Sequence, residues 1–198
     1  MIEVKNKGQK NLITIVSQSK TQGNLEVDGN FNDVYINTSE NSNINIKIMG
    51  DRNVVYIDCE RIGKLRSLVS NGASIIIRKG TTIEEAYFLA DQYPIDIGSD
   101  CMISFQVQIR TTDAHGIYSL SDKKLTNPPG PVMIGRHVWI AQGVLTNKNS
   151  AIGNNAILGA RSFLQNIVVP DSTFVVGTPA RVIRQDVTWR RDMKPTLE

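Results

Sequence analysis

Residues 134–182 read IGRHVWIAQGVLTNKNSAIGNNAILGARSFLQNIVVPDSTFVVGTPARV, and the spacing of their apolar positions decides the fold. Stepping by six from Ile134 reaches Ile140, Thr146, Ile152, Leu158, Leu164, Pro170, Val176 and Val182. Seven of these nine positions are Ile, Leu or Val, in a chain that is only 40% hydrophobic by a much wider definition. A glycine follows the aliphatic residue at Gly135, Gly153, Gly159 and Gly177. Four places on, the residue is small or β-branched at Val138, Val144, Ser150, Ala156, Ser162, Val168 and Ala180; Phe174 breaks the pattern.

A period of six fits neither an amphipathic helix nor an alternating strand, and it marks a repeat. Each unit supplies a short strand and a corner. The aliphatic residue points inward, the glycine eases the bend, and the small residue fills a narrow interior. Three units close one triangular coil of about 18 residues. Ile134, Ile152 and Pro170 are then expected to stack, as are Ile140, Leu158 and Val176. Successive coils would lie about 4.8 Å apart as parallel strands. The pattern resembles the left-handed parallel β-helix of hexapeptide-repeat proteins. The handedness is implied by that resemblance, since most parallel crossovers are right-handed.

Working outward, Ile83 and Leu89 are six apart, and so are Ile97, Ile103 and Ile109. The solenoid is therefore expected over residues 74–184. Cys101 falls four after Ile97, at a small inward position, and reads as a buried structural thiol rather than a nucleophile. Residues 1–73 are Asn-rich, with short alternating runs and no clean period of six. They are expected to form an irregular β part that caps or extends the solenoid; a separate small β domain is the alternative, and residues 61–71 could be a short helix or another coil. From Ile109 to Ile134 the repeat is interrupted by TTDAHGIYSLSDKKLTNPPGPVM, rich in turn residues with three prolines. This predicts a loop over 111–133 ejected from the prism, and long loops in compact repeats more often carry function. Residues 185–198 read as a short C-terminal tail.

The 198 residues carry a formal charge of +3, compatible with an anionic small ligand. No dense basic stripe argues for nucleic acid. Two cysteines make no disulfide framework or zinc spacing. The start MIEVKNKGQKNL lacks a signal-peptide apolar segment, and no run approaches the ~18 apolar residues of a membrane span. A cytoplasmic protein is expected.

The chain has two histidines. His115 lies at the mouth of the ejected loop, where an imidazole beside a rigid solenoid suits general-base work or is merely a solvated side chain. His137 flanks inward Val138, so it is expected to point outward beside Trp139. The segments TTDAHGIYSL, NPPGPVMIGRHVWIAQGV, AIGNNAILGARSFL and VVGTPARVIR together resemble the hexapeptide-repeat acetyltransferases, most of all the surface-polysaccharide members.

That resemblance implies direct acetyl transfer from acetyl-CoA to a sugar or polysaccharide hydroxyl, with His115 as the base and no metal. Asp113 would orient the imidazole or meet the acceptor, and Tyr118 and Asn127 would touch the sugar. Ala141 and Ala160 match positions along the pantetheine, Arg181 and Arg184 the pair that meets the nucleotide phosphates, and Trp139 the cofactor groove or a subunit contact. The family implies a homotrimer with sites between subunits. Two departures stand out: Ala141 replaces a usual glycine, and Gln165-Asn166 replaces a usual Thr-Lys pair. A sugar N-acetyltransferase and a non-catalytic solenoid binding module are the competing functions. A zinc hydratase on this fold needs three His ligands, one more than the chain has.

Overall fold

The computed structural model describes residues 1–17 and 21–196. Among them there is no helix; every regular element is a strand. The N-terminal part supplies β1 (Ile2–Asn6), β2 (Leu12–Ser17), β3 (Gln22–Asp28), β4 (Asp33–Thr38), β5 (Asn43–Met49), β6 (Val54–Cys59), β7 (Arg61–Ser70), β8 (Ser74–Ile77) and β9 (Thr82–Asp91). The rest supplies β10 (Ile95–Ile97), β11 (Met102–Ile103), β12 (Val107–Arg110), β13 (Val132–Ile134), β14 (Trp139–Ile140), β15 (Leu145–Thr146) and β16 (Ser150–Ile152). It ends with β17 (Ile157–Leu158), β18 (Phe163–Leu164), β19 (Ile167–Val169), β20 (Phe174–Gly177) and β21 (Ala180–Arg184). All of them ladder in parallel with the coil above and below, except β21, which turns back antiparallel on β20. The result is a parallel β-solenoid of about eight turns.

Two isoleucine-rich ladders run through the solenoid. Ile15, Ile36, Ile57, Ile77, Ile97, Ile134, Ile152 and Val169 stack in register down one wall. Ile62, Ile83, Ile103, Ile140, Leu158 and Val175 stack down a second. Each fully buried aliphatic side chain contributes about 1.5–3 kcal/mol. These ladders make the stiff wall on which any surface site is held.

Coil length changes along the axis. From β1 to β9, contacting residues are 21 apart, as in the Asn24–Asn45 and Asn37–Asp58 pairs, except between β6 and β8, where the spacing is 20. The extra residues make one long, nearly flat side: β9 runs for ten residues without a break. In the next coil that side is split. Gln106 takes a left-handed φ of 58° between β11 and β12, and both of these strands pair with β9. The cross-section is three-sided from there, and the spacing falls to 18 between Arg136 and Asn154.

The last coil is one residue shorter, with a spacing of 17 between Asn154 and Asp171. The missing residue corrects the expected stacking. Val169 rather than Pro170 lies on Ile152, and Val175 rather than Val176 lies on Leu158. Thr173 takes the small inward position and frees Phe174 to point partly outward, which explains the misfit. Val168, expected inside, is 77% exposed. Val182 sits on the antiparallel return and is also exposed.

The corner glycines Gly135, Gly153 and Gly159 act by close approach rather than by easing a bend, whereas Gly177 takes a positive φ of 108°. Gly135 and Gly153 do not adopt a positive φ; the left-handed residues are His137 and Asn155, two places on. A Cβ on Gly153 would lie 2.4 Å from Asp171 Oδ1 and 2.5 Å from its backbone nitrogen. Cys101 is fully buried, as its hexad position requires, and burial pushes its thiol up to about 11.

Candidate active site

The interruption between β12 and β13 is a closed arm with a narrow neck. Thr111 is buried at its root, where its hydroxyl donates to Asp91 O at 3.0 Å and accepts from Asp91 N at 2.8 Å. Gly130 N donates to Thr111 O at 2.9 Å and shuts the neck. Beyond it the arm doubles back, with an antiparallel bridge between Tyr118 and Leu125 and a bond from Thr126 N to Ile117 O. The turn residues read from the sequence make this short hairpin possible.

A polar knot fixes the arm to the next coil. Lys148 is 3% exposed, and its Nζ donates to Asp113 Oδ2 at 2.5 Å and to Asn127 O at 2.9 Å. Asn127 Nδ2 donates both to Asp113 Oδ2 and to His115 O, while its Oδ1 accepts from Ile117 N at 2.6 Å. Asn127 therefore grips the backbone on both sides of Gly116. Burial would raise the Asp113 carboxyl, but the bonds from Lys148 and Asn127 and the charges of Lys148 and Arg110 outweigh it and hold it below the usual carboxylate range.

Within this frame the sequence-predicted residues fall into two groups. Asp113, His115, Tyr118 and Asn127 are brought together on the arm. His115 is exposed, and its imidazole has no hydrogen-bond partner among the described residues. Asp113 does not orient that imidazole; it is engaged by Lys148 and Asn127. Tyr118 lies over Gly116, where a Cβ would meet its ring at 2.8 Å.

The other group follows a different edge. Ala141 begins the corner after β14, with its N–H on Leu158 O, and Ala160 sits in the equivalent corner after β17. A Cβ on Gly159 would touch Val176, which pairs with Arg181, so this edge runs on to the exposed Arg181 and Arg184 of β21. The two groups thus flank one side of the prism, the edge preceding β12 and β15 and the arm following β12. Within one chain no described contact joins His115 to Ala141, Ala160, Arg181 or Arg184.

Sequence reasoning missed Lys148 and the role of the tail. The tail returns along the wall and buries Trp189, whose ring stacks on His137 at 4.3 Å and an interplanar angle of 11°. Trp189 Nε1 donates to His137 O, and the His137 nitrogens engage Asp100 Oδ2 at 2.6 Å and Trp189 O at 3.0 Å. Arg191 reaches Thr82, Gly80, Asp100 and Cys101. His137 therefore anchors the tail, and Trp139, tilted 6.4 Å from Trp189, is half-covered beside it. The only signal in the sequence was the coincidence of Trp139 and Trp189, two indoles in a chain with few aromatics.

Among the described residues no group of three His, Cys, Asp or Glu side chains could hold a metal ion, and no helix is long and apolar enough to cross a membrane. The chain matches no protein-family model. It is 34% identical over 190 residues to the polysialic acid O-acetyltransferase of Neisseria meningitidis, covering 94% of this chain and 88% of that one. It superposes on the crystal structure of the polySia-specific acetyltransferase NeuO with a TM-score of 0.89 at 25% identity, over 99% of this chain and 85% of NeuO. The polysialic acid O-acetyltransferase OatWY matches with a TM-score of 0.77 at 26% identity, over 100% and 94% of the two chains. Likeness along nearly the whole chain, in sequence and in stacked coils alike, places this protein in the family of hexapeptide-repeat O-acetyltransferases and makes it an acetyltransferase.

Proposed function

We infer that the protein moves an acetyl group from acetyl-CoA to a hydroxyl of an acidic surface polysaccharide in the cytoplasm, with His115 as the general base. The observation that carries this reading is an open imidazole on an arm whose backbone is held by Asn127 at His115 O and Ile117 N, with Asn127 held in turn by Lys148. In this scheme His115 takes the proton of the acceptor hydroxyl as its oxygen attacks the thioester carbonyl. The tetrahedral intermediate collapses, and the sulfur of CoA leaves with the proton that the imidazolium returns. Backbone N–H groups of a coil wall would stabilise the oxyanion.

Arg181 and Arg184 are exposed at the end of the corner that carries Ala141 and Ala160, with no carboxylate partner among the described residues, and guanidinium forks suit phosphate oxygens. The tip of the arm supports a homotrimeric assembly. Ile117, Tyr118 and Leu120 are 61%, 62% and 88% exposed, an apolar surface that a neighbouring subunit would cover. The arm would then bring His115 of one chain to the cofactor edge of the next.

Thiol release from acetyl-CoA in the presence of α2,8-linked polysialic acid tests the reading. The His115→Ala variant should lose about 10²–10⁴ in turnover; unchanged turnover removes the base. Replacing Arg181 and Arg184 by Ala should raise KM for acetyl-CoA before it lowers kcat.

A further inference from the structure

The long flat side of the N-terminal coils is a groove rather than a smooth wall. Two adjoining depressions of about 410 and 340 Å³ lie along it and share Arg66 and Tyr87 on their borders. The outward column on this side is in strict register: Asn24, Asn45, Arg66, Tyr87 and Gln108, on β3, β5, β7, β9 and β12. Four coil spacings separate its ends, about 19 Å at ~4.8 Å each. One sugar does not fill that length, and several linked sugars do.

The chemistry of the column is that of carbohydrate recognition. Amide side chains match hydroxyls and N-acyl groups, a phenol ring offers a flat face with a polar tip, and a guanidinium grips a carboxylate in a fork. The neighbouring lysines are engaged with carboxylates, Lys64 with Glu85 at 2.9 Å and Lys7 with Glu26 at 2.6 Å. Arg66 is exposed and has no carboxylate partner among the described residues. Lys47 shares Glu26 with Lys7, so among the described residues the groove carries an excess of positive charge, with Arg66 in the middle of a polar track.

Where the track ends is equally specific. Past Gln108 the column turns apolar, with Leu145 and Phe163. The strand that holds Gln108 runs into the arm that carries His115, and Arg110, the last residue of that strand, has a buried Nε with no hydrogen-bond partner among the described residues.

We propose that this groove is an extended acceptor subsite, in which an acidic, hydroxyl-rich glycan lies across β5, β7, β9 and β12 with a carboxylate on Arg66 and a sugar ring on Tyr87, leading its target hydroxyl towards the His115 arm. The proposal rests on the acetyltransferase reading above and adds a substrate site that begins several coils away from the base.

Steady-state kinetics of R66A, Y87A and the double variant, with long α2,8-linked polysialic acid and with its trisaccharide as acceptors, read this directly. KM for the polymer should rise about tenfold in the double variant with kcat retained, so that the preference for polymer over trisaccharide falls by the same factor. An unaltered preference overturns the groove. Calorimetric binding of the polymer to H115A separates the two readings, because that variant keeps the groove and lacks the proposed base. Polymer binding by H115A that weakens about tenfold when R66A and Y87A are added supports the subsite whatever becomes of the base; binding that is absent, or indifferent to those changes, overturns it. Sedimentation of the double variant completes the test: a change in oligomeric state would make this face a contact between copies and overturn the proposal.

Discussion

Lys148 carries its charge almost wholly out of water, and among the described residues its head is satisfied only by the arm, through Asp113 and the carbonyl of Asn127. Removing one partner of such a pair leaves an uncompensated buried group, which costs on the order of 1–3 kcal/mol here because Asp113 keeps some contact with solvent. Lys148→Met should therefore loosen the arm and lower kcat with little change in KM for acetyl-CoA, and a KM effect without a kcat effect would refute the positioning role. The pH dependence has a definite sign. The Asp113 carboxyl is held below its ordinary value in the folded chain, so its contribution to stability is complete above the unfolded-chain value of about 3.9 and is lost as pH falls through the lowered one. The stability difference between the native chain and Asp113→Asn, followed by thermal melts, should be constant from pH 7 to 5 and shrink below about pH 4. The place of His115 on an ejected arm was legible in the sequence, because the break in the repeat is local. Lys148 was not: nothing in NKNS marks a buried ammonium, and its partner lies 35 residues away on an arm whose path periodicity does not describe.

At the scale of elements, one missing residue in the last coil and three extra ones in the first coils account for most differences between the hexad reading and the fold. The template of six fails on residues 1–73 because their period is 21. The signal was present as glycines at 8, 29 and 50, each followed three places later by Asn11, Asn32 or Asn53. Those asparagines form a ladder in which Asn32 N and Nδ2 both donate to Asn11 Oδ1, and Asn53 repeats the pattern on Asn32. The ladder satisfies corner amides, as Asn154 and Asp171 do in the shorter coils by accepting from Arg136 N and Asn154 N. The tail is the other element without a periodic signature. Because Trp189 is 5% exposed and locks onto His137, Trp189→Ala should cost about 3–5 kcal/mol in denaturant unfolding. Hydrogen exchange at residues 137–139 should speed up in the same variant. A cost below about 1 kcal/mol would mean that the tail merely rests on the wall.

Apart from the returning tail, the described coils form a stack in which each packs on its two neighbours, so stability is approximately a sum of coil and interface contributions. That makes length adjustable in whole turns. Deleting residues 30–50 joins Gly29 to Asp51, which occupies the place of Asn30, since Asn30 N already bonds Asp51 Oδ1 across one turn. Ile57 then follows Ile15 in the first ladder, and Asn53 follows Asn11 in the asparagine ladder, with every inward side chain still inward. The shortened chain should fold with a single, somewhat lower melting transition and the same parallel-sheet circular dichroism. It should still acetylate the trisaccharide, because the arm, Lys148 and the Ala141–Ala160 edge are several coils away. It loses Asn45 and Lys47 from the long side, so KM for polysialic acid should rise. Deleting residues 30–39 instead removes half a turn and sets one side of the prism on another. Aliphatic residues then meet polar ones along the whole column, and that chain should aggregate or remain unfolded. If both deletions behaved alike in melting and light scattering, the coil would not be the unit of stability, and a groove built from stacked turns would lose its physical basis.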